Sequence, residues 1–63
     1  MDLRAWRRAR DITQKEMAEK LAVHVSTYQN WERCPRNIAI DDAVKISKIL
    51  GVSMNEIFFG ENK

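Results

Sequence analysis

Only three of the 63 residues in this chain are glycine or proline: Pro35, Gly51 and Gly60. A strand-rich fold turns the chain every few residues and relies on these two residue types to do it. Their scarcity therefore disfavours strands and favours helices joined by short connections. Length sets a second bound, because a chain this short buries only about 60% of the surface its unfolded form exposes. The expectation is one small all-α domain over residues 1–63. The single cysteine, Cys34, cannot close an internal disulfide, and no Cys/His cluster has the spacing of a zinc site. No apolar run nears the roughly 18 residues of a membrane span, and the start MDLRAWRRAR lacks the apolar stretch of a signal peptide. Helix packing without metal or disulfide suits an intracellular domain.

Five helical segments can be marked. The first runs from Asp2, a plausible N-cap, to Arg10, with Leu3 and Trp6 one turn apart on its apolar face. Thr13-Gln14-Lys15-Glu16 has the form of a capping box and opens a second helix over Gln14–Leu21, with Met17, Ala18 and Leu21 facing inward. Ala22-Val23-His24 makes a tight turn into a third helix, Val25–Glu32, whose apolar positions are Tyr28 and Trp31 and whose other face is polar and uncharged. Pro35 disfavours helix at Cys34, so Arg33–Asn37 reads as loop. A fourth helix, Ile40–Leu50, places Ile40, Ala43, Val44, Ser47 and Leu50 along one face and ends at Gly51 as a left-handed cap. Ser53-Met54-Asn55-Glu56 is a second capping box, opening a fifth helix that runs through Phe59. Val52 and Ile57 are spaced as a hydrophobic staple, and a polar tail begins at Gly60.

The net charge of +2 is unevenly distributed. Residues 1–36 carry eight Lys/Arg against five Asp/Glu, or +3, and residues 37–63 carry three against four, or −1. A basic front suits a partner with one anionic face, of which nucleic acid is the commonest. Catalysis finds no support. His24 is the only histidine, no Ser or Cys has a recognisable base partner, and there is no glycine-rich phosphate loop. Neither enzyme activity nor a cofactor is expected.

The informative stretch is Gln14–Trp31. Two short helices are separated by about three residues, with the small Ala18 in the first letting them approach closely and Tyr28 and Trp31 in the second pointing inward. This is the helix-turn-helix arrangement, in which the second helix reads base edges while the first crosses the phosphate backbone. Residues 3–59 resemble the phage repressor and Cro family of helix-turn-helix regulators, the Xre type. The matching pieces are Leu3-Arg-Ala-Trp-Arg7, Thr13-Gln14, Met17-Ala18-Glu19-Lys20-Leu21, Val23, Ser26-Thr27-Tyr28, Trp31-Glu32 and the run Val44–Ile57 with Leu50-Gly51-Val52-Ser53. Each is weak alone; in register they are strong.

The resemblance implies a compact five-helix bundle whose second and third helices form the reading unit. It implies that Gln14, at the start of helix 2, bonds a DNA phosphate. Val25, Ser26, Gln29 and Asn30 fall on the outward face of helix 3, with Val25, Ser26 and Asn30 at positions that usually touch bases. Asn and Gln can pair with adenine through two hydrogen bonds, and Val25 can pack on a thymine methyl. Arg33 and Arg36 match a loop that grips phosphate, and Arg7 and Glu32 match an ion pair tying helix 1 to the end of helix 3. His24 is a cap or a phosphate contact. Arg4, Arg8 and Arg10 form either a phosphate-facing stripe or a solvated face.

Four residues depart from the family pattern. Ala22 stands where Gly is usual, and a left-handed backbone there would cost roughly 1 kcal/mol. His24 and Ala39 replace capping residues, and Cys34 replaces a common Gly. The function implied is a cytoplasmic, bacterial or phage-encoded transcription regulator binding a two-fold operator as a weak homodimer, in the manner of a minimal Cro-type repressor. Its dimer contacts would come from Pro35–Ala39 and from Phe58–Phe59. The second reading is a protein-interaction module, an antitoxin or adaptor on the same fold.

Overall fold

In a computed structural model the described residues are 2–58, and they form five α-helices and one 3-10 turn with no strand. The order is α1 (Leu3–Ala9), α2 (Gln14–Leu21), α3 (Val25–Arg33), the turn Pro35–Asn37, α4 (Ile40–Leu50) and α5 (Met54–Phe58). The polar tail and the last residue expected in helix 5, Phe59, lie outside the described residues.

The local signals act where the sequence puts them. Asp2 caps α1 by accepting from the Ala5 N–H at 2.9 Å. The Thr13–Glu16 box closes in both directions: Thr13 Oγ1 accepts from the Glu16 N–H at 3.0 Å, and Glu16 Oε1 accepts from the Thr13 N–H at 2.9 Å. Those hydrogen bonds hold the Glu16 carboxyl below its ordinary titration range. At Ser53 the box is looser, its hydroxyl accepting from the Glu56 N–H at 3.3 Å and donating to the Glu56 carboxylate at 3.4 Å. Two helix ends differ from expectation by one residue: α1 stops at Ala9, and α3 runs on through Arg33. The expected loop at Arg33–Asn37 is partly ordered as the Pro35–Asn37 turn, because proline fits the first turn of a helix.

One core joins all five helices. Leu3, Met17, Ala18, Leu21, Tyr28, Ile46, Leu50, Val52 and Ile57 form it, with Trp6, Ile12, Val23, Val25, Trp31, Ile38, Ile49 and Phe58 packed half-buried at its edge. Trp31 meets Tyr28 edge-to-face, ring centroids 6.4 Å apart. The two tryptophans therefore seal the core instead of sitting inside it.

Helix α4 corrects the sequence reading most. Ile40 is 70% exposed, Val44 and Ser47 are half-buried, and the fully buried side chains are Ala43, Ile46 and Leu50. At 3.6 residues per turn this inner face is rotated by about 70° from the expected one. Aliphatic residues flank the Ala43–Leu50 line on both sides, so periodicity permits two orientations. The observed one buries Ile46 and packs Ile49 at the core edge; the other would have put Ser47 in the centre.

Arg10 anchors α1 to this helix. Its Nε donates to the Leu50 carbonyl at 2.9 Å, and its guanidinium lies 5.6 Å from the centroid of the Trp6 ring. A cation at the carbonyl end of α4 is favourably placed.

Candidate nucleic-acid interface

Helices α2 and α3 pack closely because Ala18 leaves room between them, and the corner that joins them has a definite backbone. Ala22 is left-handed, with φ 58° and ψ 40°, and its N–H bonds back to the end of α2. A non-glycine residue in this region is strained, and Ala22 adopts it nonetheless. His24 follows as the N-cap of α3. Its Nδ1 accepts from the Ser26 N–H at 3.4 Å and lies 3.0 Å from Ser26 Oγ.

With the corner set, α3 presents Ser26, Gln29, Asn30 and Arg33 to solvent. Their spacing of i, i+3, i+4 and i+7 puts all four side chains on one face of the helix. Val25 does not share that face fully: it is half-buried and packed on the core edge, because it lies one turn before the buried Tyr28.

A shallow cleft of about 430 Å³ runs beside this face, lined by Asp2, Arg4, Gln14, Gln29, Glu32 and Arg33. Three of the expected site residues, Gln14, Gln29 and Arg33, thus meet in one place, joined by Arg4 from α1. Arg4, for which the sequence allows either a phosphate-facing or a solvated position, is exposed and borders this cleft because the first turn of α1 lies near α3, a placement no local pattern encodes. Arg36 is elsewhere. It borders an apolar groove with Pro35, Ile38, Ile40, Ala43, Met54 and Phe58, formed by the 3-10 turn, α4 and α5.

Beneath the cleft lies the expected Arg7–Glu32 ion pair. Arg7 Nε donates to Glu32 Oε2 at 2.6 Å, with the two side chains 9% and 4% exposed. Arg7 Nη1 also donates to the Ile12 carbonyl at 2.6 Å, tying the pair to the connection before α2. Burial pushes the Glu32 carboxyl up, but hydrogen bonds from Arg7 and Gln14 and the guanidinium charge outweigh it and hold the group below its ordinary range. The Tyr28 phenol lies beside this pair. Burial first, then the Glu32 carboxylate, raises its titration far above the usual tyrosine value, although its hydroxyl makes no hydrogen bond of its own.

The pair reaches the surface through two amides. Gln14 Nε2 donates to Glu32 Oε1 at 2.9 Å, and Gln14 Oε1 accepts from Gln29 Nε2 at 3.2 Å. On the neighbouring turn, Arg33 Nη2 donates to Asn30 Oδ1 at 2.6 Å. Among the described residues no helix is long and apolar enough to cross a membrane, and no three His, Cys, Asp or Glu side chains gather as metal ligands.

A family model described as "Helix-turn-helix" matches residues 3–57. Comparison with curated proteins and with solved structures gave no match.

Proposed function

This chain belongs to the Xre/Cro-type helix-turn-helix family of DNA-binding transcription regulators, and from that premise we propose that it is a repressor that reads its operator by inserting α3 into the major groove. The observation that carries this reading is the exposed polar face Ser26–Gln29–Asn30–Arg33 on α3, set beside Arg4 and Gln14 in one cleft. Short polar side chains on a helix narrow enough for the groove are what base-edge recognition requires. Ser26, Gln29 and Asn30 make base contacts, and Val25 reaches a thymine methyl from its half-buried position. Gln14, His24, Arg33, Arg36 and Arg4 contact phosphate.

A two-fold operator would engage a homodimer, and the groove between the 3-10 turn, α4 and α5 is where a second copy docks. Ile40, the one large aliphatic side chain that α4 leaves in solvent, borders that groove with Phe58.

Selection of bound sequences from a random duplex library tests the whole reading, because it reports base preference and half-site spacing together. The Ser26→Ala/Asn30→Ala double variant should lose about 1–3 kcal/mol of specific binding per lost base contact and keep its non-specific binding. Arg33→Ala and Arg36→Ala should each lower the salt slope of binding by about one unit and leave base preference intact. A folded protein that enriches no sequence overturns the repressor reading in favour of a protein-interaction module.

A further inference from the structure

We infer that Glu32, acting through Gln14, fixes which way round the Gln29 amide faces, and that Gln29 thereby reads adenine at one operator position. The inference rests on the DNA-reading function proposed above and adds a specificity determinant to it.

A glutamine amide has two nearly isosteric orientations with opposite polarity, and an exposed one exchanges freely between them. Here the chain of bonds removes that freedom from the inside outward. The Glu32 carboxylate can only accept, and it is buried and held by Arg7. Gln14 must therefore turn its NH2 group inward, where Nε2 lies 2.9 Å from Glu32 Oε1. That leaves Gln14 Oε1 facing Gln29, so Gln29 must meet it with its own NH2 group, 3.2 Å away. Reversing Gln29 alone would set two carbonyl oxygens against each other. Reversing both amides would set the Gln14 oxygen against a carboxylate.

After these bonds Gln29 retains its carbonyl oxygen and one N–H. An acceptor beside a donor matches the major-groove edge of adenine, which offers N6–H as donor and N7 as acceptor. Guanine presents two acceptors there, N7 and O6, and would oppose the Gln29 carbonyl. Asn30 provides the contrast: its oxygen is engaged by the exposed Arg33, with no buried anchor behind it. Gln14 is thus a positioning residue for Gln29, and the second N–H of its own amide remains for the phosphate.

The test compares the wild type with Gln14→Met, Gln14→Ala and Gln29→Ala by random-duplex selection, with thermal melts and side-chain amide NMR of the free proteins. The wild type should prefer adenine to guanine at one position by about tenfold, and Gln29→Ala should lose that preference alone. Either Gln14 variant should remain folded at the selection temperature, with some loss of melting temperature from the lost Glu32 bond, shift the Gln29 amide resonances without DNA, and cut the same preference to about threefold or less, with preferences at other positions unchanged. Uniform weakening on all sequences with the adenine preference kept would overturn the inference and leave Gln14 a phosphate contact. Unmoved Gln29 resonances would overturn it as well. A wild type that selects no sequence would bring down the DNA reading itself, an outcome visible before any variant is made.

Discussion

The corner between α2 and α3 and the corner between α4 and α5 follow the same backbone path but are built from different residues. Each helix ends on a left-handed residue, Ala22 with φ 58° in one and Gly51 with φ 68° in the other. In each, the next N–H reaches back five residues: Val23 to the Ala18 carbonyl at 3.0 Å, and Val52 to the Ser47 carbonyl at 3.2 Å. In each, an N-cap follows two residues after the left-handed one. The α4–α5 corner uses glycine and serine, which suit those positions. The α2–α3 corner uses alanine and histidine, which do not, and this is the corner that sets the direction of α3, the helix proposed to read DNA. Local rules are most often broken at functional sites, and the deficit is made up elsewhere. In this molecule the compensation is the Arg7–Glu32–Gln14 network, which clamps α1, α2 and α3 together, whereas α4 and α5 are held by aliphatic packing.

Removing one partner of that network should therefore give the largest effect. Arg7→Ala or Glu32→Ala leaves a buried charge alone and is expected to cost about 3 kcal/mol or more of stability. Thermal melts of the two single variants and the double variant, without DNA, should show clear coupling. The acid side carries the same signature. The Glu32 carboxyl titrates below its ordinary range when folded, so its contribution is complete above the unfolded value and is lost as pH falls through the lower folded value. Glu32→Gln should be less stable near neutrality and lose less on acidification. If single variants cost less than about 1 kcal/mol, as exposed pairs do, the network is not what compensates the α2–α3 corner.

Much of this architecture is legible in the sequence, and the gaps have identifiable causes. Capping boxes and the Gly51 stop announce themselves because the bonds involved span three or four residues. The helix-turn-helix spacing is legible in the residues Gln14–Trp31 themselves, and the Arg7–Glu32 pair follows from the family resemblance. The inner face of α4 is ambiguous in the sequence because two aliphatic stripes compete there, and only the packing partners choose Ile46 over Val44 and Ser47. Arg10 is bound to Leu50 forty residues away, a contact no local pattern contains. In the candidate site the residue types on α3 were foreseeable. The bonds that order them, from Glu32 to Gln14 to Gln29, depend on how three separate segments dock.

The left-handed residues of these two corners permit a direct exchange. A Cβ on Gly51 would meet nothing within 4 Å, so Gly51→Ala isolates the backbone penalty and should cost about 1 kcal/mol. Ala22 is exposed in the matching conformation, so Ala22→Gly should gain a similar amount, about 0.5–1 kcal/mol, after the added entropy of the unfolded chain is subtracted. The double exchange should melt close to the wild type. Denaturant titrations of all three proteins measure this, and loss of stability in Ala22→Gly would mean that the Ala22 methyl makes a contact worth more than the strain.

The smallest expected effect is at the second weak point of the α2–α3 corner. His24 caps α3 through a ring nitrogen 3.4 Å from the Ser26 N–H, a long bond for a cap, and the same nitrogen also lies 3.0 Å from the Ser26 hydroxyl. A serine hydroxyl at the N-cap reaches the N–H groups two and three residues on without a ring to orient, and Ser53 occupies the equivalent position before α5. His24→Ser should therefore raise stability by a few tenths of a kcal/mol, toward about 1 kcal/mol at most. The effect should add to that of Ala22→Gly only in part, since the two residues share one turn. His24→Asp should stabilise the free protein further, because a carboxylate suits the positive end of a helix, yet on the proposed docking it should weaken DNA binding by placing a negative charge where α3 would meet phosphate. Unchanged DNA binding in His24→Ser would remove His24 from the proposed phosphate contacts and leave the imidazole serving neither capping nor recognition especially well. A His24→Ser variant that keeps its fold but binds DNA several-fold more weakly would instead make His24 a phosphate contact, and would explain why this corner keeps a poor cap where the other has a good one.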